Sequence, residues 1–385
     1  MWHRVELKNF RSIESIAVDL APFTVLVGPN GSGKSNFVDA LVFARDVGFD
    51  ATSGLQRRGG ITGVRRWSRT KPYDVSISIS VGSTRAGLDS GFVKHQFSIR
   101  TGKEGSWHFY KELVEVRRGG HVQLSISRDK QKFEVRPPQK IFPITDLSAT
   151  TSIMLFARQL SSFRGNRTLS RVRRLRLNPE LMREPQVSSD VHRLEESGKN
   201  IAVALSRLAT KQKRKPIIEP MAKIIPGLDD ICAVQVGRYI TLQFLQVQGD
   251  QVAPFSAAEM SEGALRALGI IVAAQQMARG ELLIVEEPEV HIHPEAANLI
   301  FEILKEAASK GAVLVTTHSP ELLDAAHDEE ILVCQYHDGV TSLGPMASEQ
   351  RELVRNGLFK VSELMRSEPL RIEGRQSATI DPSTV

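Results

Sequence analysis

The stretch Gly28-Pro29-Asn30-Gly31-Ser32-Gly33-Lys34-Ser35 decides the fold. It fits the pattern G-x-x-x-x-G-K-[ST], in which glycines let the backbone curl around phosphate oxygens. Thr24-Val25-Leu26-Val27 runs into it as a buried strand. Asn36-Phe37-Val38-Asp39-Ala40-Leu41-Val42 leaves it with apolar residues at helical spacing. Strand, glycine loop and helix together place backbone N–H groups and the positive end of a helix dipole against an anion. Lys34 is expected to reach the β- and γ-phosphates of a nucleotide, and the Ser35 hydroxyl to sit on Mg²⁺.

Outward from this loop, residues 2–28 read as three strands and 33–47 as a helix. Residues 51–71 combine four glycines with Arg57, Arg58, Arg65, Arg66, Arg69 and Lys71, which predicts a mobile basic loop. From Asp74 to Val135 the apolar period is near two, so 51–149 is expected to be a β-rich layer. Residues 150–225 read as a helical, basic insertion. Ser152–Phe163 and Val191–Leu208 carry the helical period. Arg164, Arg167, Arg171, Arg173, Arg174 and Arg176 form one cationic cluster, and Lys211-Gln212-Lys213-Arg214-Lys215 a second. Such clusters suit nucleic-acid phosphates or a solvated face. Strands at 230–236 and 239–246 follow. Then comes alternation: helix 256–279, strand 281–286, helix 294–309, strand 312–317, a short helix at 320–326, and strands 330–336 and 339–343 turning at Asp338-Gly339. That alternation argues for a parallel sheet with helices on its faces. Residues 346–385 read as a C-terminal helix and a disordered tail after about Ser367.

At 385 residues the chain holds two or three structural units. The net charge of +6 permits a nucleic-acid partner without demanding one. Cys232 and Cys334 are the only cysteines, which suits a reducing cytosol. No apolar run is long enough to cross a bilayer and the first residues lack a signal-peptide core, so a cytoplasmic protein without a membrane partner is expected.

Three further pieces carry chemistry. Leu282-Leu283-Ile284-Val285 ends in Glu286-Glu287, carboxylates suited to the magnesium shell and to orienting an attacking water. Standing alone, the pair is a solvated strand end. Val313-Leu314-Val315-Thr316-Thr317 ends in His318, whose imidazole can hydrogen-bond a γ-phosphate or simply be satisfied at a strand end. Ser261-Glu262-Gly263 opens a long helix and reads as a phosphate cap or an ordinary N-cap.

Gly28–Ser35, Ser261-Glu262-Gly263, Glu286-Glu287-Pro288-Glu289 and Thr316-Thr317-His318-Ser319-Pro320 occur in that order. The set resembles the ABC-class ATPases of the SMC, RecF and OLD type, specifically small AAA-family ATPases without a long coiled coil. Leu7-Lys8-Asn9-Phe10-Arg11-Ser12, Pro179-Glu180-Leu181 and Gly198-Lys199-Asn200-Ile201-Ala202 extend the likeness over most of residues 1–345. The resemblance implies an α/β P-loop ATPase head with its core in 1–50 and 226–345. It implies ATP and Mg²⁺ as cofactors. Asn30, Gly31, Ser32, Gly33, Lys34, Ser35 and Asn36 would form the phosphate site, with Arg11 touching the nucleotide. Glu286 matches the metal-side acid, Glu287 the catalytic base and His318 the switch histidine. Ser261 and Gly263 match a signature motif that completes the opposite subunit's site, implying a homodimer with ATP sandwiched between copies.

The sequence departs from the pattern at Ala264, where transporters carry a second glycine, and at Glu286, where an aspartate is usual. The coupling glutamine stays open among Gln131, Gln139 and Gln159. His291 and His293 lack a third ligand at fitting spacing and are not expected to hold a metal. No TOPRIM or HNH segment is recognisable, which puts cleavage by this chain in doubt. Two functions are therefore expected: a dimeric ATPase gating DNA repair or anti-phage defence, or a nucleotide-gated sensor that holds and releases a separate effector, a nuclease or toxin.

Overall fold

The computed structural model describes residues 2–69, 72–82, 91–137, 147–158 and 168–374. They fall into two compact units: Trp2–Ser170 with His318–Val385, and Arg171–Thr317.

The first unit opens with β1 (Trp2–Phe10), β2 (Ile13–Asp19) and β3 (Phe23–Val27), then α1 (Lys34–Gln56). β4 (Val75–Gly82), β5 (Phe92–Thr101), β6 (Trp107–Arg118), β7 (His121–Asp129) and β8 (Lys132–Arg136) follow, then a one-turn α2 (Ile153–Ala157). Later the chain returns with α8 (Pro320–Leu323), β16 (Ile331–His337), β17 (Val340–Pro345), α9 (Ser348–Arg355) and α10 (Val361–Ser367). The strand order within this unit is β8-β7-β6-β5-β4-β1-β2-β17-β16-β3. β4 to β8 form an antiparallel meander, as the period of two predicts. β3 is buried at every position and pairs parallel with β16. The Asp338-Gly339 turn has positive φ at both residues, as a type I′ two-residue hairpin requires.

The second unit holds the strands β9 (Val172–Leu175), β10 (Gln186–Val187), β11 (Leu228–Val236), β12 (Tyr239–Gln248), β13 (Gln251–Ser256), β14 (Leu282–Glu286) and β15 (Ala312–Thr317). Its helices are α3 (Pro179–Arg183), α4 (Ile201–Ser206), α5 (Lys211–Ile224), α6 (Glu262–Gln275) and α7 (Pro294–Ala307). β14 pairs parallel with β15 on one side and β9 on the other. β12 pairs antiparallel with β10, β11 and β13. α6 is apolar almost all round, with Leu265, Leu268, Ile270, Ile271 and Val272 buried, as a core helix must be.

Several expectations are corrected. The stretch 51–71 is not a loop throughout, because α1 runs on to Gln56 across a kink at Asp50. Nor is its charge free: the Arg58 side chain is buried and bonds Asp39 and Asp46, at 2.8 and 2.9 Å. Residues 191–200 are not helical. Gly198 is left-handed, and the Asn200 side chain donates to the carbonyls of Val191 and Arg193 and accepts from the Glu195 amide. Those bonds satisfy the backbone outside a helix, so only Ile201–Ser206 coils. The arginine-rich stretch contains β9, a strand of the parallel sheet, because Val172 and Leu175 find buried sites beside β14. Residues 368–374 are not part of a disordered tail. Leu370 and Ile372 are buried, and Ile372 bridges Met346. Arg164, Arg167, Gln139, Gln159 and residues 375–385 lie outside the described residues.

Candidate functional site

In the first unit, β3 delivers the chain into the phosphate loop and α1 starts at Lys34. Gly33 occupies the N-cap position with φ of 102°, a region an L side chain rarely adopts. Gly33 supplies no side-chain cap to α1, and no acid lies in the helix's first turn. Helix-start N–H groups left without a side-chain cap are what an anion needs. Lys34 is buried, and its Nζ donates to the Gly28 carbonyl at 2.7 Å and the Pro29 carbonyl at 3.1 Å. The ammonium is thus folded back over the loop it serves. The Ser32 hydroxyl is buried with no hydrogen-bond partner among the described residues. A buried orphan hydroxyl and an uncapped helix start fit a bound phosphate chain.

A hydrogen-bond relay underlies the loop. Arg11 Nη1 donates to Asn36 Oδ1 at 3.4 Å, and Asn36 Nδ2 donates to Ser12 Oγ at 2.6 Å. Ser12 and Thr341 hydroxyls meet at 2.7 Å, and Thr341 Oγ1 donates to the Ser32 carbonyl at 3.1 Å. Because a carbonyl only accepts, the protons all point one way, toward the loop. The Cys334 thiol, raised by burial, also donates to the Ser32 carbonyl, at 3.3 Å. Arg11 is committed to an ion pair with Asp39 at 2.9 Å. Thr341 and Cys334 carry no sequence motif. Only the return of β16 and β17 brings them under the loop.

In the second unit, Glu286 ends β14 and Glu287 follows it. Both are half-buried. Glu287 has φ of 48°, and its N–H donates to the Thr316 carbonyl at 2.9 Å. Its neighbour Glu289 accepts from the Thr317 hydroxyl at 2.6 Å. Thr316 and Thr317, read in the sequence only as the lead into His318, therefore hold the carboxylate turn. Arg174 and Arg176 on and after β9 bring their Nε atoms to 4.0 Å from Glu286 Oε1. The Glu286 carboxylate here, like the Ser35 hydroxyl in the first unit, is a hard oxygen of the kind Mg²⁺ accepts as a ligand. His318 is exposed, directly after β15.

Ser261 caps α6 by accepting from the Ala264 amide at 3.2 Å. Gly263 lies against the turn after Glu287: a Cβ there would overlap the His291 carbonyl oxygen and sit 3.2 Å from its carbon. Glu262 meets His291 Nδ1 at 2.6 Å, so His291 serves a helix start. Arg266, one turn on, donates to the Glu287 carbonyl at 3.3 Å. Burial holds its guanidinium below the ordinary value, while Glu287, Glu289 and Glu262 oppose that shift. The signature helix and the carboxylate turn are thus one packed element. The i,i+4 spacing of Glu262 and Arg266 was the available sequence signal. Gln131 lies in the exposed turn after β7.

The cationic clusters are largely spoken for. Arg173 is buried with its Nε 2.9 Å from the fully buried Glu281, and burial lowers it to about 10. Arg174 bonds Glu196 at 2.6 Å, and Arg171 donates to the Arg279 carbonyl. Lys211 pairs with Asp229 at 2.7 Å, Arg214 with Asp230 at 2.6 Å and Lys215 with Glu219 at 3.4 Å.

Comparison with known proteins agrees with this architecture. Residues 23–324 match the AAA domain family described as putative AbiEii toxin, type IV TA system. The chain belongs to that family. It is 24% identical over 367 residues to an OLD nuclease of Thermus scotoductus, covering 86% of this chain and 61% of that protein. It is 22% identical over 421 residues to the Old nuclease of Escherichia phage P2, covering 98% of this chain and 68% of that protein. The chain thus spans roughly two thirds or less of these relatives' length. The fold is that of an SMC head: a solved SMC head bound to the C-terminal winged-helix domain of ScpA superposes with a TM-score of 0.57 at 16% identity, covering 91% of this chain and 99% of that one. The chain is thus an AAA-domain protein with the fold of an SMC head. No helix among the described residues is long and apolar enough to cross a membrane.

Proposed function

We propose that this AAA-domain protein binds ATP with Mg²⁺, hydrolyses it, and uses the cycle to gate an action on DNA in repair or anti-phage defence. The observation that carries this reading is the phosphate loop: buried Lys34 beside a left-handed Gly33 at an uncapped helix start, inside a family match over residues 23–324. Lys34 reaches the β- and γ-phosphates and Asn30, Gly31, Ser32, Gly33 and Asn36 shape their cradle. Ser35 and Glu286 hold Mg²⁺, which offsets phosphate charge when bound. Glu287 accepts the proton of the attacking water, and His318 hydrogen-bonds the γ-phosphate. Ser261 and the Gly263 amide complete the nucleotide pocket of a second copy, so the working unit is a homodimer. Arg11 acts through Asn36 rather than on nucleotide directly, since its charge is taken by Asp39.

The relatives' name, OLD nuclease, supports a link to DNA. One observation favours the second reading, a nucleotide-gated sensor for a separate effector. The cations at 171–176 and 211–215 that would grip DNA phosphates are mostly consumed by internal carboxylates. The test compares wild type, Lys34→Ala and Glu287→Gln by ATPase rate and by native mass with ATP, with and without duplex DNA. Loss of binding in Lys34→Ala and an ATP-trapped dimer in Glu287→Gln are expected. Normal turnover by Glu287→Gln removes the base assignment. DNA-independent turnover with no retention on DNA at low salt removes the DNA reading and leaves the sensor.

A further inference from the structure

Where the C-terminal ends of α4 and α6 meet α5, the second unit holds an open cavity of about 300 Å³. Its floor is apolar, with Leu208, Ile217 and Val272 among the lining residues, and its rim carries His192, Arg207 and Lys213. The volume suits one large side chain, at the small end of ligand pockets. The rim is the informative part. Every other cation of the 211–215 cluster has a carboxylate: Lys211 has Asp229, Arg214 has Asp230 and Lys215 has Glu219. Arg207 and Lys213 have no side-chain hydrogen bond or ion pair among the described residues. The acids on α5 and at the start of β11 are already taken by their neighbours. His192 adds a buried Nε2 with no hydrogen-bond partner among the described residues.

The site is also held in shape. Gln276, near the end of α6, accepts from the Leu194 amide at 2.8 Å and donates to the His192 carbonyl at 2.9 Å. His192 Nδ1 lies 3.4 Å from the Val203 carbonyl of α4. A pre-set pocket loses less entropy on binding than one that must be assembled.

We propose that this cavity docks an acidic peptide segment of a partner protein, one large apolar side chain seated on the floor and one or two adjacent carboxylates paired with Arg207 and Lys213. Charge complementarity at the rim chooses the carboxylates, and the apolar floor chooses a peptide over a nucleic acid, whose phosphates would leave it uncovered. The proposal does not depend on nucleotide being bound or hydrolysed.

The test pans a displayed random heptapeptide library against the full chain and measures the enriched peptides by fluorescence anisotropy. A fluorescent single-stranded oligonucleotide and inorganic phosphate serve as competing probes. Enriched peptides are expected to place Asp or Glu beside Leu, Phe or Trp. Arg207→Glu with Lys213→Glu should weaken them at least tenfold, and Leu208→Asp by a similar factor, with unchanged circular dichroism. Both charge changes are at exposed positions, so loss of fold is not the expected cause. The proposal is overturned if enrichment lacks the acidic–apolar pairing, if affinity ignores the double charge reversal, or if the oligonucleotide and not the peptide responds to it.

Discussion

Gly33→Ala tests the packing beneath the phosphate loop. Gly33 has φ of 102°, and an added Cβ would lie 2.6 Å from Thr341 Cγ2 and 2.8 Å from its Cβ. Carbon pairs settle at about 3.5–4.0 Å, so Thr341 must withdraw by about 1 Å. Its hydroxyl then leaves Ser32 and Ser12, now at 3.1 and 2.7 Å. Each lost bond costs about 1 kcal/mol, and a non-glycine residue at this φ about 1–3 kcal/mol. The sum, about 3–5 kcal/mol, is a large share of the roughly 5–15 kcal/mol that holds a domain folded. Scanning fluorimetry should show Tm falling by about 10 °C. Binding of a fluorescent ATP analogue should weaken at least tenfold. Thr341→Ala gives up the same two bonds but makes room, so Gly33→Ala with Thr341→Ala should cost about 2 kcal/mol less than the two changes summed. A single variant that melts like wild type, or strict additivity in the pair, refutes the reasoning.

Other expectations follow from the same structure. Arg214→Ala leaves Asp230 buried without its partner and should destabilise by about 3 kcal/mol in urea titration, with much of that recovered in the Arg214→Leu, Asp230→Leu pair. Burial alone would raise Asp230, but the Arg214 bond, the Ile231 amide and nearby charge hold it below its ordinary 3.8. A depressed carboxylate stabilises above its unfolded value and loses that as pH falls through the folded one. The stability gap between wild type and Asp230→Asn should therefore be constant from pH 5 to 8 and close below about pH 4. Gly263→Ala drives a methyl onto the His291 carbonyl, so it should cut ATPase turnover at least tenfold while ATP-analogue affinity of the isolated chain stays within about threefold. Equal loss of both would place Gly263 outside the catalytic turn. Glu287→Gln should lower hydrolysis at least a hundredfold in a phosphate-release assay, the usual order for a removed general base.

Much of this protein is local and was therefore legible. Strand β3, the glycine loop and α1 are written in contiguous residues, because hydrophobic period and glycine freedom act over a few positions. The β4–β8 meander and the Asp338-Gly339 hairpin are legible for the same reason. Charge was misread wherever its partner is distant in sequence. Arg58 looks like part of a basic loop until Asp39 and Asp46 enclose it, and Arg173 like a phosphate contact until Glu281 buries it. A lone arginine in a sequence is solvated by default. Only the fold says which carboxylate removes it from water. The same holds for the supports of the site. Thr341 and Cys334 reach Ser32 across some three hundred residues, and Arg266 and His291 brace one turn from two elements. The sequence alone determined the kind of chemistry, since a phosphate loop is a backbone shape encoded by its own glycines. The tertiary structure decided which charges remain available to use it, because ion pairing depends on distances that no residue spacing records.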